Sequence, residues 1–185
     1  MLCPRACSVD RVAGQRGACG AGPEPLVARA ALHFWEEPPI SGESGSGTVF
    51  LAQCPLGCSY CQNAAISGVP AGEPMDAAGL AERFRQLERQ GALNINLVTP
   101  THFAPTLRQA VRLARAQGLG LPVLWNTSGY EAPEAIRANR GIVDAYLADF
   151  KYADGQLAAE LSGARDYPER ALDALRAMVE EAGPV

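Results

Sequence analysis

The stretch Cys54-Pro-Leu-Gly-Cys-Ser-Tyr-Cys-Gln-Asn63 places three thiols at the spacing C-x3-C-x2-C. It directly follows the apolar run Thr48-Val-Phe-Leu-Ala-Gln53, so we expect the cysteines in a loop at the end of a strand. A closed structural zinc site or a simple electron-transfer cluster usually takes four protein ligands, whereas a catalytic site leaves one position open. Cys54, Cys58 and Cys61 therefore predict a metal or cluster site with one coordination position to spare.

Composition limits the class of protein. The chain has 185 residues, and 48% of them are hydrophobic, which is enough for one domain with a buried core. Since the net charge is -4 and no basic block occurs, we expect no nucleic-acid partner. No apolar run has the length of a membrane span and no signal peptide is recognisable, so we expect a soluble, cytoplasmic protein without a membrane partner. In such a protein, six cysteines favour metal or redox chemistry over disulfides.

Residues 1–47 form a leader that is rich in cysteine and glycine, and its first twenty residues predict loop because they have little apolar periodicity. Cys3, Cys7 and Cys19 could form a second metal site with a fourth ligand from elsewhere in the chain. They could equally be three reduced thiols in an irregular segment. The sequence leaves both interpretations open, because no further Cys or His follows at metal-finger spacing.

From residue 48 onward, strand-like and helix-like segments alternate. The strand-like runs cover residues 48–53, 93–98, 121–125 and 142–148. The helical segments that follow them are one from an N-cap at Asp76 to Gly91, one with Leu107, Val111 and Ala114 on one face, a short one over residues 134–138 and one that starts near Pro168. Four such units predict an α/β fold with a parallel sheet and right-handed crossovers.

Polar residues follow each predicted strand at its carboxyl end. They are the three cysteines after the first strand, Thr99-Pro-Thr-His102 after the second, Asn126-Thr127 after the third and Asp149-Phe-Lys151 after the fourth. In parallel sheets the chemistry gathers at this end of the strands. We therefore expect four separate segments to converge on one mouth.

With Tyr60 between its last two cysteines, the loop resembles the signature C-x3-C-x-aromatic-C of the radical S-adenosylmethionine (SAM) superfamily. More narrowly, the chain is similar to the group related to pyruvate formate-lyase-activating enzyme, and the similarity runs almost from end to end. The stretches that carry it are Cys3-Pro-Arg-Ala-Cys7, Trp35-Glu-Glu-Pro38, Ile40-Ser-Gly42, Gly45-Ser-Gly-Thr48, Asn94-Ile-Asn-Leu-Val-Thr-Pro-Thr-His102, Asn126-Thr-Ser-Gly-Tyr130 and Asp149-Phe-Lys-Tyr152.

The resemblance implies two cofactors. Cys54, Cys58 and Cys61 would hold a [4Fe-4S] cluster and leave one iron free for the amino and carboxylate groups of SAM. Reduction then cleaves SAM to methionine and a 5′-deoxyadenosyl radical that abstracts hydrogen, while the protein orients the cofactors and excludes water. The implied partners are a low-potential electron donor of the flavodoxin or ferredoxin type and a possible protein substrate, for which a glycyl-radical protein is one candidate.

The resemblance also implies roles for strand-end residues. Tyr60 would pack near the adenine of SAM, although ordinary core packing is a second interpretation. Lys151 would be the cationic partner of the SAM carboxylate, and a simple ion pair with Asp149 at the rim is the alternative. The remaining residues in the expected surroundings of SAM, and possibly of a monovalent cation, are Thr99, Asn126, Thr127 and Asp149.

The chain departs from the family pattern in two places. The group commonly has a Gly-Gly-Glu stretch after the second strand, where this sequence reads Thr99-Pro100-Thr101 and offers hydroxyls or backbone carbonyls instead. The family barrel also has more strands than the four predicted here. We therefore expect a partial (β/α) barrel over residues 48–185 behind the leader of residues 1–47, in a truncated product or with the remainder from another chain. A non-catalytic iron-sulfur or zinc protein that uses the same thiols is the alternative function.

Overall fold

A computed structural model describes residues 1–183 and contains one six-stranded mixed sheet in the order β3-β1-β2-β4-β5-β6. The strands are β1 (Leu26–His33), β2 (Ser46–Leu51), β3 (Glu73–Pro74), β4 (Ile95–Val98), β5 (Val123–Thr127) and β6 (Ala145–Ala148). The helices are α1 (Pro38–Ser41), α2 (Ala64–Ser67), α3 (Ala77–Arg89), α4 (Ala104–Ala116), α5 (Pro133–Arg137), α6 (Gly155–Ser162) and α7 (Tyr167–Ala182), with a 3-10 turn at Thr101–Phe103.

The four predicted strands are confirmed as the parallel part of the sheet. β2 pairs with β4, β4 with β5 and β5 with β6, all in parallel. The register places Phe50 beside Val98, Val98 beside Asn126 and Asn126 beside Leu147, so the carboxyl ends of the four strands lie at one edge. The α/β class and the partial-barrel arrangement follow from this order.

Helices α3 and α4 cover one face of the sheet, as their periodicity predicts. The Asp76 carboxylate accepts a hydrogen bond of 2.8 Å from the Gly79 amide and so caps α3. The apolar residues of both helices pack on side chains of β2, β4 and β5. The fully buried members of this core include Leu80, Phe84, Leu87, Leu107, Val111, Ala114, Val49, Ile95, Leu97 and Val123.

Each predicted strand differs from the observed strand by two or three residues at one or both ends. β5 begins at Val123, because Pro122 has no amide to donate, and its carbonyl accepts from the Ile95 amide instead. β5 also ends two residues later than predicted, so Asn126 and Thr127 are its last residues and do not follow it. The fourth strand begins three residues late, because Ile142 and Val143 donate their amides to Asn139 in a turn.

Several elements had not been predicted, namely β1, α6 and the short elements α1, α2, β3 and the 3-10 turn. β1 lies within the predicted leader and pairs antiparallel with β2, so it continues the sheet beyond the parallel strands. Helix α6 begins after Asp154, whose carboxylate accepts from the Leu157 amide at 2.7 Å, and ends at Gly163 in the left-handed conformation. Residues 1–25, all of which are described, contain no helix or strand and agree with the predicted loop. No helix within residues 1–183 is long and apolar enough to cross a membrane.

Candidate functional site

A cavity of about 780 Å³ opens at the carboxyl edge of the parallel strands. All the site residues that the sequence suggests for the first metal site and for SAM line it. They are Cys54, Cys58, Tyr60, Cys61, Thr99, Asn126, Thr127, Asp149 and Lys151. The expected convergence of four chain segments on one mouth is thus what the fold produces.

The cysteine loop leaves β2 through a sharp turn. Gln53 has φ +68°, an uncommon conformation for a residue with a Cβ, and its amide donates to the Ile66 carbonyl at 2.8 Å. Gly57 also has φ +68°, and the Cys61 amide donates to the Cys58 carbonyl at 3.2 Å. These turns keep the loop at the end of the strand and direct it along the cavity.

The three thiols are available as ligands for a cluster. All three are free and only partly exposed. Within residues 1–183, no three Cys, His, Asp or Glu side chains are arranged to hold one ion. A [4Fe-4S] cluster does not need such convergence, because each thiolate binds a different iron atom. The assignment of these cysteines as ligands remains a prediction.

The surroundings of Cys54 bear on the same fit. Burial raises the pKa of the Cys54 thiol, and the backbone amides of Gly57 and Leu56 oppose this effect by donating towards the sulfur. Amide donors to sulfur are among the features that tune iron-sulfur sites. The loop thus supplies amide donors for an anionic sulfur at Cys54.

Lys151 and Asp149 form an ion pair at the rim of the cavity, with 2.5 Å between Nζ and Oδ2. Burial alone would lower the pKa of Lys151, but the hydrogen bond to Asp149 raises it above its ordinary value. Lys151 is the only lysine in the sequence. Lys151 thus forms the expected ion pair with Asp149 at the rim. It also lines the cavity, where its ammonium group could bind a ligand carboxylate.

Tyr60 is 53% exposed, so the interpretation as a core residue was wrong. Its ring lies edge-on to Tyr152 with the centroids 5.9 Å apart, and it forms part of the cavity wall. This orientation leaves most of an aromatic surface free for a flat ligand.

The carboxyl ends of β4 and β5 form a part of the cavity rim whose backbone is conformationally constrained. Thr99 has φ +59°, which is rare for a β-branched residue, and its amide donates to the Asn126 carbonyl at 2.9 Å. The Thr127 hydroxyl accepts from the Gly129 amide at 3.2 Å. Backbone strain of this kind clusters at functional sites, where the surrounding structure holds it in place.

Tyr167 is a site residue that the sequence reasoning missed. It lies at the start of α7, is fully buried and packs against Tyr152 and Tyr130. Its hydroxyl donates to the Ser128 carbonyl at 2.6 Å and accepts from the Lys151 amide at 2.7 Å. It therefore ties the segment after β5 to the segment after β6. No periodic pattern marks such a residue.

His102 does not line the cavity. Its Nε2 lies 2.9 Å from the Ala52 carbonyl, and burial lowers its pKa to about 4. It is a buried, neutral residue that links the segment after β4 to the segment after β2.

Cys3, Cys7 and Cys19 lie outside the cavity, in the leader. The Cys7 sulfur accepts from the Ala18 amide at 3.2 Å, and Arg11 Nη2 lies 3.8 Å from the Cys19 sulfur. Burial raises the pKa of the Cys3 thiol, and the nearby Cys19 and Cys7 act in the same direction. The three thiols are free, and Cys7 and Cys19 lie close enough to Cys3 to affect its pKa. A second metal site there remains a prediction.

Residues 48–185 match the profile of the radical SAM superfamily. This chain belongs to the radical SAM superfamily. Its members generally bind a [4Fe-4S] cluster and SAM. The chain is also 29% identical, over 175 residues, to an uncharacterized protein of Methanocaldococcus jannaschii, an alignment that covers 90% of this chain and 49% of that protein. The chain thus spans about half the length of the curated relative that it matches.

Proposed function

We propose that this chain binds a [4Fe-4S] cluster through Cys54, Cys58 and Cys61 and holds SAM beside it for reductive cleavage. The observation that carries the proposal is the shared cavity, which is lined by groups from four strand ends that the sequence had suggested independently. When bound, the cluster and SAM together supply an electron and a 5′-deoxyadenosyl radical for hydrogen abstraction. The protein's contribution is to hold, orient and shield them.

The cysteine loop would hold the cluster at the inner wall of the cavity. Its three thiols are free, and the partly buried Cys54 sulfur has amide donors from Leu56 and Gly57. Three ligands leave one iron for a small molecule, as a catalytic site requires.

The rim would hold the amino-acid end of SAM. The Lys151 ammonium is a partner for its carboxylate, because charge-assisted hydrogen bonds of this kind are strong. Thr99 and Asn126 offer a hydroxyl and an amide to the polar atoms of SAM. The Thr127 side chain also lines the cavity, but its hydroxyl accepts from the Gly129 amide and donates to Glu131, so its proposed contribution is to hold the rim in shape. Asp149 beside Lys151 is a candidate oxygen ligand for a monovalent cation.

Tyr60 would pack against the adenine. Its ring is half exposed, lines the cavity and is supported from behind by Tyr152. Stacking of flat rings adds a favourable contact beyond the area that it buries.

The finer assignment is to the group related to pyruvate formate-lyase-activating enzyme, on the stretches Cys3-Pro-Arg-Ala-Cys7 and Asp149-Phe-Lys-Tyr152. A glycyl-radical protein is then the candidate substrate, and a flavodoxin or ferredoxin the candidate electron donor. Only that similarity supports the proposal of these two partners.

The test is anaerobic reconstitution with iron and sulfide, followed by reduction, addition of SAM and quantification of 5′-deoxyadenosine. We expect roughly four irons per chain, as for one cluster, and formation of 5′-deoxyadenosine. Full iron loading without any 5′-deoxyadenosine would instead support the non-catalytic iron-sulfur alternative. Preferential binding of one zinc ion per chain would support the zinc alternative.

A further inference from the structure

Arg5 connects the leader to two distant parts of the chain. Its Nε donates to the Pro55 carbonyl at 3.0 Å, and its Nη2 donates to the Leu56 carbonyl at 3.1 Å. The same guanidinium donates to the Gly163 carbonyl through Nη1 and to the Ser162 carbonyl through Nη2, each at 2.6 Å. Four of its N–H groups thus bind backbone oxygens.

The two accepting segments differ in character. Pro55 and Leu56 lie inside the cysteine loop, between Cys54 and Cys58. Ser162 and Gly163 form the carboxyl end of α6, where helix carbonyls lack partners and the helix dipole favours a cation. Arg5 therefore joins the cysteine loop to a fixed helix end.

Further contacts hold this junction in place. The Ser59 amide donates to the Leu161 carbonyl at 2.8 Å, which is a second link between the loop and α6. The guanidinium also lies over the ring of Tyr130, 5.4 Å from its centroid, which is a cation–π contact. Arg5 is thus held from one side while it binds the loop on the other.

We infer that Arg5 is a positioning residue for the cysteine loop. This inference rests on the proposed function, since the loop is the proposed cluster site. The backbone between Cys54 and Cys58 sets how far apart their sulfurs lie, and Arg5 holds two of the three carbonyls in that interval. A lysine cannot replace it, because an ammonium lacks the planar fork that meets four oxygens at once.

The first test uses the full chain without a cluster and follows amide hydrogen exchange. In Arg5→Lys and Arg5→Ala, we expect peptides that cover residues 54–61 to exchange about tenfold faster, because two charge-assisted hydrogen bonds to the loop are lost. Peptides from α3 should be unchanged. The control is Arg115→Lys, since Arg115 also donates to a carbonyl, that of Gly141 at 2.9 Å, but away from the loop.

The second test measures cluster retention after reconstitution. We expect a chelator to remove iron about tenfold faster from Arg5→Lys than from the wild type or from Arg115→Lys, with similar unfolding midpoints in the two variants. Millimolar guanidinium, but not ammonium, should slow the loss from Arg5→Ala. If Arg5→Ala does not fold, Arg5→Lys alone decides the result.

Unchanged exchange over residues 54–61 in Arg5→Lys would overturn the inference. So would a uniform rise in exchange across the whole chain, which would make Arg5 a general stability residue. If the wild type takes up no cluster, the proposed function fails, whereas the exchange experiment still decides whether Arg5 positions the loop.

Discussion

The phenol oxygen of Tyr167 accepts a hydrogen bond of 2.7 Å from the backbone amide of Lys151. It donates at the same time to the Ser128 carbonyl at 2.6 Å, so one buried hydroxyl holds two strand ends together. The lysine proposed to meet SAM is therefore positioned through its backbone by a residue that does not line the cavity. The role of the rim can therefore be tested by a substitution at Tyr167, outside the cavity.

Replacing Tyr167 with Phe keeps the ring and removes the hydroxyl. The Lys151 amide and the Ser128 carbonyl lose this partner, and we expect the free energy of unfolding to fall by about 1–3 kcal/mol. We also expect the apparent affinity for SAM to fall roughly threefold to tenfold, because the rim is no longer held in position. The control is Tyr130→Phe, whose hydroxyl donates to Asp166 at 2.7 Å in the same aromatic cluster. Equal SAM affinities in the two variants would contradict the rim role of Tyr167.

Lys151 can be tested by chemical modification. Because it is the only lysine, an amine-specific reagent has two targets in the chain, Lys151 and the amino group of Met1. We expect SAM to slow modification of Lys151 at least about tenfold, as a charge-assisted contact would, and to leave Met1 unaffected. Mass spectrometry of the two peptides measures both rates in one sample. Equal modification of Lys151 with and without SAM would place the ligand carboxylate elsewhere.

Lys151→Met tests the same contact by substitution. We expect SAM affinity to fall about tenfold or more, with little loss of stability, because the ion pair with Asp149 is partly exposed, with 34% of the Lys151 side chain and 59% of the Asp149 side chain accessible to solvent. Isothermal titration calorimetry on the reconstituted protein measures the affinity. Lys151→Arg, which keeps the charge, should recover part of it.

Replacing Cys58 with Ala should abolish the cluster. We expect iron content and the visible absorption of the reconstituted protein to fall to background, because two thiolates do not hold a [4Fe-4S] cluster. Cys7→Ala is the matched control, since Cys7 is an exposed thiol outside the cavity. An unchanged spectrum in Cys58→Ala would refute the ligand assignment. A partial loss of iron in Cys7→Ala would instead support a second metal site in the leader.

Glu131 predicts a pH dependence of stability. Burial raises its pKa to about 7, although Thr127 and Trp125 oppose this by donating hydrogen bonds. The folded protein therefore binds this proton more tightly than the unfolded chain does. The contribution to stability is complete below about pH 4.5, is lost as the pH rises to about 7 and amounts to about 3 kcal/mol.

His102 acts in the opposite direction, because its folded pKa of about 4 is below the ordinary value of 6.5. Its contribution is present above about pH 6.5 and is lost as the pH falls towards 4. The two residues partly cancel in the wild type, so the measurement needs a variant.

Glu131→Gln removes one of the two titrations and keeps an oxygen for the Trp125 indole, which donates to Glu131 at 3.0 Å. We expect the unfolding free energy of this variant, relative to the wild type, to increase by about 2–3 kcal/mol between pH 5 and pH 7. Urea unfolding at both pH values measures this difference. Glu160→Gln, at an exposed position in α6, should show no such trend. Parallel pH curves for Glu131→Gln and the wild type would exclude the effect.

The strands and helices that were predicted from the sequence are those with a clear periodic pattern of apolar residues. The alternation around Leu97 and the helical face of Leu80, Phe84 and Leu87 identified elements that bury one side, and parallel topology then brought the strand ends together. Long-range pairing by single side chains leaves no periodic trace, and Arg5 and Tyr167 were missed for this reason. Helix α6 was missed because its eight residues are too short for a clear pattern, although Asp154 marks its start as an N-cap.

The strand β1 shows a different limit. The run Val27-Ala-Arg-Ala-Ala-Leu32 consists mostly of small residues, so it does not alternate clearly between apolar and polar side chains. The segment forms a strand because it pairs with β2 over six residue pairs, so the sequence of β1 alone does not predict it. Local propensity is a weak guide where tertiary context decides.

The reach of Arg5 bears on the order in which the protein is assembled. Its hydrogen bond to Gly163 joins residues that are 158 positions apart. Contacts between residues so distant in sequence form late, because the intervening chain must first be ordered. During synthesis, residue 163 emerges from the ribosome long after the cysteine loop. Until α6 has been synthesised, Arg5 lacks its contacts to the carboxyl end of that helix, and the cysteine loop is not fully held in place. We therefore expect cluster insertion in the cell to follow synthesis of the chain through α6.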